Sequence, residues 1–71
     1  MNTYYIDVSV LSHEDKGKLY SNFDRFAFFC DWDDIYHKVM IVNWDLTGDP
    51  FTTIELPKGC KVLKVIGKPS E

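Results

Sequence analysis

Cysteine and long apolar runs are scarce in this sequence, and each scarcity excludes a class of protein. The two cysteines, Cys30 and Cys60, allow one disulfide at most. No apolar run approaches the roughly 20 residues that span a bilayer, and the first residues lack the basic and apolar segments of a signal peptide. We therefore expect a cytoplasmic protein with reduced thiols and no membrane partner.

Motifs of known chemistry are also missing. The sequence holds no phosphate-cradling glycine loop, no Gly-x-Ser-x-Gly motif and no dinucleotide-binding fingerprint. The best catalytic candidate is Cys30 with His37, because an imidazole that faces a thiol can take up its proton. Packing at the edge of a core explains the pair equally well. A domain this small rarely encloses a catalytic pocket, so we predict that the protein is not an enzyme.

Metal binding is weakly indicated. The side chains of the types that zinc prefers are Cys30, Cys60, His13 and His37. No two of them have the close spacing of a zinc knuckle. The aspartates around residue 33 lack the glycine and the distal glutamate of a calcium-binding loop. We therefore predict no metal and no cofactor.

The charge balance is mildly acidic, with 11 acidic and eight basic side chains and a formal charge of −3. This charge is too small to imitate a nucleic acid and has the wrong sign for strong attraction to phosphates. Acidic residues concentrate within residues 24–55, whereas lysines dominate from residue 56 onward. The simplest interpretation is two solvated faces of opposite charge.

Aromatic residues are abundant, with five Phe, four Tyr and two Trp in 71 residues. They supply a core with large apolar side chains. A chain this short buries only about 60% of its unfolded surface and has room for one core. We predict one small β-rich domain over residues 1–67 and a frayed tail over residues 68–71.

Strand patterns begin near the start of the chain, where Ile6, Val8 and Val10 alternate with polar residues within 4–11. That period of two predicts a strand that is half-buried on one face. Near the other end, residues 51–56 and 60–66 flank a turn at 57–59, which predicts a hairpin with Ile54 opposite Val62.

Residues 12–23 have two interpretations. A tight turn with Gly17 at positive φ makes them part of a hairpin. Alternatively, Ser12 caps a short helix that has Asp15 at its third position and Gly17 in its interior. An interior glycine costs a helix about 1 kcal/mol. We therefore favour the hairpin.

The clearest predicted element is a central hairpin, in which residues 25–32 and 35–44 flank a tip at Asp33 and Asp34. The predicted cross-strand partners on one face are Trp32 with Ile35, Cys30 with His37, Phe28 with Val39, and Phe26 with Ile41. The other face would then carry Phe29, Tyr36, Met40, Val42 and Trp44. Both faces of this hairpin are apolar.

The predicted fold class is mainly β. The turns favour five short antiparallel strands in a meander or a partly open barrel of the SH3-like or OB-like kind. If residues 12–23 are helical, the class becomes α+β, with the helix covering one face of the sheet.

The second apolar face of the central hairpin is the most informative feature for function. Exposed aromatic and methionine side chains mark interaction surfaces. The predicted partner-binding residues are Asp31, Asp33, Asp34, Tyr36, Phe29, Met40 and Trp44. We expect a protein-interaction module that modulates or inhibits a larger protein with a basic surface. Short accessory proteins of phages and mobile elements often act in this way.

Two alternatives remain open. Single-stranded nucleic acid could stack on Phe29, Tyr36 or Trp44 while the lysines of the C-terminal part neutralise phosphates, although the negative charge disfavours this. Those lysines are Lys58, Lys61, Lys64 and Lys68. The second apolar face could instead join two copies of the chain in a homodimer, so we leave the choice between monomer and homodimer open.

Overall fold

The computed structural model describes residues 2–45, 48 and 50–67. Its elements in chain order are β1 (Asn2–Asp7), α1 (His13–Phe26), β2 (Phe29–Trp32), β3 (Val39–Trp44), a 3₁₀ turn (Pro50–Thr52) and β4 (Lys61–Gly67). The strands form one antiparallel sheet in the order β2-β3-β1-β4. Helix α1 packs on β2 and β3. The protein is therefore mainly β, with one helix on a four-stranded sheet.

The prediction of a mainly antiparallel β fold is confirmed, but the five-stranded meander is not. The described residues form four strands, and β1 lies between β3 and β4 instead of beside β2. Successive strands of a meander are neighbours, so this order is a different topology. The SH3-like or OB-like barrel is likewise not confirmed.

Helix α1 decides the question left open at residues 12–23, and the favoured hairpin is wrong there. The Ser12 Oγ accepts a hydrogen bond from the Asp15 backbone N–H at 3.2 Å and so caps the helix. Leu19 and Phe23 are one helical turn apart and are both buried against the sheet. Burial of these two side chains, together with the cap, offsets the cost of Gly17 in the helix.

The alternation predicted for residues 4–11 is confirmed from Tyr4 to Val8. Tyr4, Ile6 and Val8 are buried on the side that faces α1. The strand ends at Asp7, whose Oδ1 accepts hydrogen bonds from the backbone N–H and the hydroxyl of Ser9 at 2.9 and 2.7 Å. This local turn releases the chain from the sheet. Val10 therefore lies outside the strand and is exposed, contrary to the prediction.

The central hairpin forms, but in another register. Cys30 lies opposite Val42 instead of the predicted His37, a displacement of five residues. The connection is a loop over residues 33–38 instead of a two-residue tip. Since side chains alternate between the faces of a strand, an odd displacement moves every side chain of β3 to the opposite face.

Met40 and Trp44 show the consequence of that register. They are 0% and 2% exposed and belong to the core beneath α1, so their predicted place on a face shared with Phe29 is wrong. Phe29 lies on the opposite side of the sheet, which no helix covers among residues 2–45, 48 and 50–67. We call this side the open face.

The C-terminal part differs from the predicted hairpin. Residues 51–56 form no strand: Phe51 lies in the 3₁₀ turn and meets the Tyr4 ring edge-on at 5.5 Å, and Ile54 is buried. The turn at residues 57–59 is confirmed, with Gly59 at a φ of 92°. Strand β4 follows it and pairs with β1 instead of residues 51–56. The predicted tail at 68–71 lies outside the described residues.

Candidate protein-interaction surfaces

Most of the exposed large apolar side chains lie at the two opposite edges of the sheet. Those at the β2 edge are Phe26, Phe28, Phe29, Ile35 and Tyr36, and those at the β4 edge are Val62, Leu63, Val65 and Ile66. The strand order places these two sets on the outermost strands or next to them. Exposed apolar clusters of this kind are candidates for contact with another molecule.

The first cluster combines aromatic and acidic side chains, and we call it the acidic–aromatic surface. Its members are Phe28, Phe29, Asp31, Asp33, Ile35 and Tyr36. Phe29 and Asp31 are both exposed on the open face of β2. The rings of Phe28 and Phe29 meet edge-on with centroids 6.2 Å apart. Ile35 and Tyr36 follow in the loop and are 84% and 67% exposed.

The structure brings only part of the predicted partner-binding set to this edge. Five of its members are here: Phe29 and Asp31 on β2, and Asp33, Asp34 and Tyr36 in the loop. The Asp34 carboxylate accepts the Lys38 backbone N–H at 2.8 Å and so shapes the loop itself. The Asp31 carboxylate accepts the N–H of the next residue, Trp32, at 2.8 Å and stays exposed.

Phe28 and Ile35 were missed because the predicted register places them on the buried face. Phe28 precedes β2, where its backbone N–H bonds to the Asn43 carbonyl at 2.9 Å and its side chain is 65% exposed. Ile35 is in a loop whose length the sequence pattern underestimated. The exposure of both side chains depends on the hairpin register, for which the sequence held no local signal.

The second cluster is strand β4, and we call it the β4 surface. Each of its seven residues is exposed. As an outer strand, β4 presents backbone groups on the side away from β1, where another strand can pair with them. At the opposite edge, the Tyr20 hydroxyl donates to the Cys30 carbonyl at 2.8 Å, so a side chain occupies part of the β2 edge.

Charge is distributed unevenly across the open face. One row of side chains across the four strands runs from Asp31 through Ile41 and Tyr5 to Lys64. The Lys64 ammonium lies 4.5 Å from the centre of the Tyr5 ring, a cation–π contact. Residues from the acidic middle and from the basic end of the sequence therefore lie at opposite edges of one sheet.

The two thiols are poorly suited to nucleophilic chemistry. Burial, followed by the nearby Asp24 charge, raises the pKa of Cys30 to about 12, and burial also raises the pKa of Cys60. A thiol must lose its proton to act as a nucleophile. Cys30 also lies opposite Val42, so the predicted cross-strand pair with His37 is wrong.

In the part of the chain that the structure describes, no group of three or more His, Cys, Asp or Glu side chains is arranged to hold a metal ion. Within the same residues, no helix has the length and apolar character needed to cross a bilayer.

Comparison with known proteins gives no relative from which a role can be transferred. No protein-family model, no curated protein and no solved structure matches the chain. The surfaces of the four-stranded antiparallel sheet and its one helix are therefore the basis for a functional proposal.

Proposed function

We propose that the protein is a non-enzymatic interaction module that binds a larger protein through the acidic–aromatic surface and thereby modulates or inhibits it. The exposure of Phe28, Ile35 and Tyr36, at 65%, 84% and 67%, carries the proposal. A chain of 71 residues needs most of its large apolar side chains for its core. Side chains of this size left in water are best explained by a partner that covers them.

The chemistry of the surface defines the partner. Aromatic side chains supply much of the binding energy when they fill a pocket on the partner. Asp31 and Asp33 are exposed beside them and attract a basic surface over a longer range. We therefore propose a protein partner with an apolar pocket and a basic rim. The proposal includes a cytoplasmic location, which the two free cysteines support.

Affinity capture with paired variants tests the proposal. Tagged wild-type protein, Phe28→Ser and the doubly reversed Asp31→Lys/Asp33→Lys variant are exposed to a nuclease-treated lysate of the source cell, and the captured proteins are identified by mass spectrometry. We expect one stoichiometric protein on the wild type. Its affinity should fall about tenfold or more with Phe28→Ser, as for an aromatic anchor. Charge reversal should mainly slow association.

Val65→Ser is the matched control, because Val65 is also exposed and apolar but lies on the opposite edge strand. It should retain the same protein as the wild type. The proposal is wrong if the captured protein is lost equally with Val65→Ser and Phe28→Ser, or if both variants bind it as the wild type does. Circular dichroism of each variant verifies that the sheet is intact.

Self-association is the second candidate function, and the exposure of every residue of β4 favours it. A long apolar edge strand is a template for pairing with another chain, including a second copy. The nucleic-acid alternative is weaker. Trp44 is buried and cannot stack on a base. Lys61 and Lys64 lie at the β4 edge of the sheet, away from Phe29 at the β2 edge.

A further inference from the structure

A cleft next to the acidic–aromatic surface lies where the N-terminal half of α1 meets the end of β2 and the following loop. Its volume is about 420 Å³. The residues that line it are His13, Lys16, Gly17, Tyr20, Ser21, Trp32 and His37. Among the residues that the structure describes, the lining includes an ammonium group, two imidazoles and two larger aromatic rings, but no carboxylate.

Helical spacing explains why α1 lines most of the cleft. His13, Lys16 and Tyr20 are three and four residues apart, so they project from one side of the helix. Gly17 also lines the cleft, and apart from its chain neighbours and the helix backbone nothing lies within 4 Å of the place a Cβ would take.

The loop supplies a further polar side chain, that of His37, by an uncommon backbone conformation. His37 has a φ of 57°, in the left-handed region that few residues other than glycine adopt. Its N–H bonds to the Asp34 carbonyl at 3.2 Å, which helps to hold that conformation. The imidazole consequently stacks on the Trp32 ring with centroids 4.3 Å apart. Tyr20 also stacks on Trp32, at 5.2 Å.

Lys16 is the feature that points to a ligand. It is only 9% exposed, although lysine is rarely buried without a partner. Its Nζ lies 3.5 Å from the Tyr36 carbonyl, at the limit of a hydrogen bond. Among residues 2–45, 48 and 50–67 no carboxylate lies within 4 Å of this nitrogen. An ammonium carries three donors and a full charge, so a buried one is stabilised by an anion.

The nearby Lys18 provides the contrast. It projects into solvent and pairs with Glu14 at 3.6 Å, as exposed helical lysines commonly do. The Glu14 carboxylate is therefore engaged on the outer side of the helix. The two lysines have the same charge and are two positions apart, but only Lys16 lines the cleft.

We propose that this cleft binds a small phosphate monoester. The phosphate would accept hydrogen bonds from Lys16 and from the imidazoles of His13 and His37. A tetrahedral oxyanion has acceptors in several directions and suits donors from two different elements better than a planar carboxylate does. The cleft also has room beyond the phosphate for an organic group, which would contact the rings beside Trp32.

Nuclear magnetic resonance tests the proposal on the full chain. ¹⁵N-labelled protein is titrated with inorganic phosphate, phenyl phosphate and benzoate at constant ionic strength. We expect saturable shifts at the Trp32 indole N–H and at the backbone of residues 13–20 and 36–38. Phenyl phosphate should bind more tightly than inorganic phosphate. Equal affinity for the two would assign the site to free phosphate and overturn the monoester, and preference for benzoate would overturn the phosphate.

Two substitutions on one helix make the test specific. Lys16→Met keeps the apolar stem and should weaken phenyl phosphate binding about tenfold or more, as expected for the loss of a charged hydrogen bond. Lys18→Met removes an equal charge from the helix and should leave the affinity unchanged. Equal weakening by both would reduce the effect to general electrostatics and contradict the proposal.

A third substitution covers the case in which Lys16→Met fails to fold. His13 is exposed at the first position of α1, so His13→Gln removes an imidazole without disturbing the core. Its affinity for phenyl phosphate should fall severalfold while its spectrum keeps the wild-type dispersion. Unchanged affinity in this variant, or the absence of any saturable shift in the wild type at millimolar ligand, would also overturn the proposal.

Discussion

At the scale of single residues, the two cysteines differ in how deeply they are buried. Cys30 is 8% exposed in the core, whereas Cys60 is partly accessible just before β4. Burial is the main cause that raises the pKa of each thiol, and for Cys30 the value reaches about 12. Folding therefore withholds the reactive thiolate, most strongly at Cys30.

Alkylation at pH 8 should follow this order. We expect iodoacetamide to modify Cys60 more slowly than a free thiol and to leave Cys30 largely unmodified, because burial keeps the Cys30 thiol protonated at that pH. Peptide mass spectrometry over time gives both rates. In urea the two rates should become similar. Equal rates in the native protein would contradict the burial of Cys30.

In the loop at residues 33–38, a hydrogen bond to the backbone gives Asp34 a structural role. The sequence pattern predicts one shared role for Asp31, Asp33 and Asp34 in contacting a partner. The structure instead uses the Asp34 carboxylate to accept the Lys38 N–H, while Asp33 is exposed. For that reason the charge reversal proposed above uses Asp31 and Asp33.

At the scale of elements, helix α1 contains one residue, Gly17, that disfavours the helical conformation. Gly17 is interior to the helix, has no unusual backbone angle, and would place a Cβ in open space. Gly59, by contrast, adopts a φ of 92°, and its Cβ would approach a Val10 methyl group to 3.0 Å. Only the second position has a structural requirement for glycine.

Alanine substitutions at these glycines should have opposite effects on stability. Gly17→Ala should raise the free energy of unfolding by about 0.5–1 kcal/mol, since alanine is the better helix former and restricts the unfolded chain. Gly59→Ala should lower it by about 1–2 kcal/mol, because a Cβ disfavours the left-handed conformation. Urea denaturation monitored by circular dichroism measures both. Changes of the same sign would contradict these backbone assignments.

At the scale of the whole molecule, α1 covers only part of the sheet. It packs on β2 and β3, while β4 stays exposed along its full length. Leu63, Val65 and Ile66 are each about half exposed there. Lys61 and Lys64 interrupt this apolar strand, as charges often do on edge strands that avoid uncontrolled pairing.

Sedimentation velocity across a range of protein concentrations should reveal whether β4 joins two copies. If it does, the wild type shifts from monomer to dimer as concentration rises, and Leu63→Lys remains monomeric. Phe28→Ser, at the other edge, should dimerise as the wild type does. A wild type that stays monomeric at the highest concentration would eliminate this candidate. Loss of the dimer in Phe28→Ser would place the interface at the acidic–aromatic surface instead.

Features encoded by neighbouring residues could be predicted from the sequence. The alternation of Ile6 and Val8, the turn before Gly59 and the capping potential of Ser12 each depend on a few adjacent residues. Their energies are local, and they reappear in the structure. The choice of helix at residues 12–23 was not local, because burial of Leu19 and Phe23 against the sheet outweighed the cost of Gly17.

The tertiary structure alone decided which strands pair and which faces are covered. The sequence by itself determined a single aromatic-rich, mainly antiparallel β protein with an acidic middle and a basic end. The register that buries Met40 and Trp44, and the pairing of β4 with β1, depend on contacts between residues far apart in the chain. Such contacts must overcome the entropy of closing long loops, so they depend on how well the whole core packs and not on any short pattern.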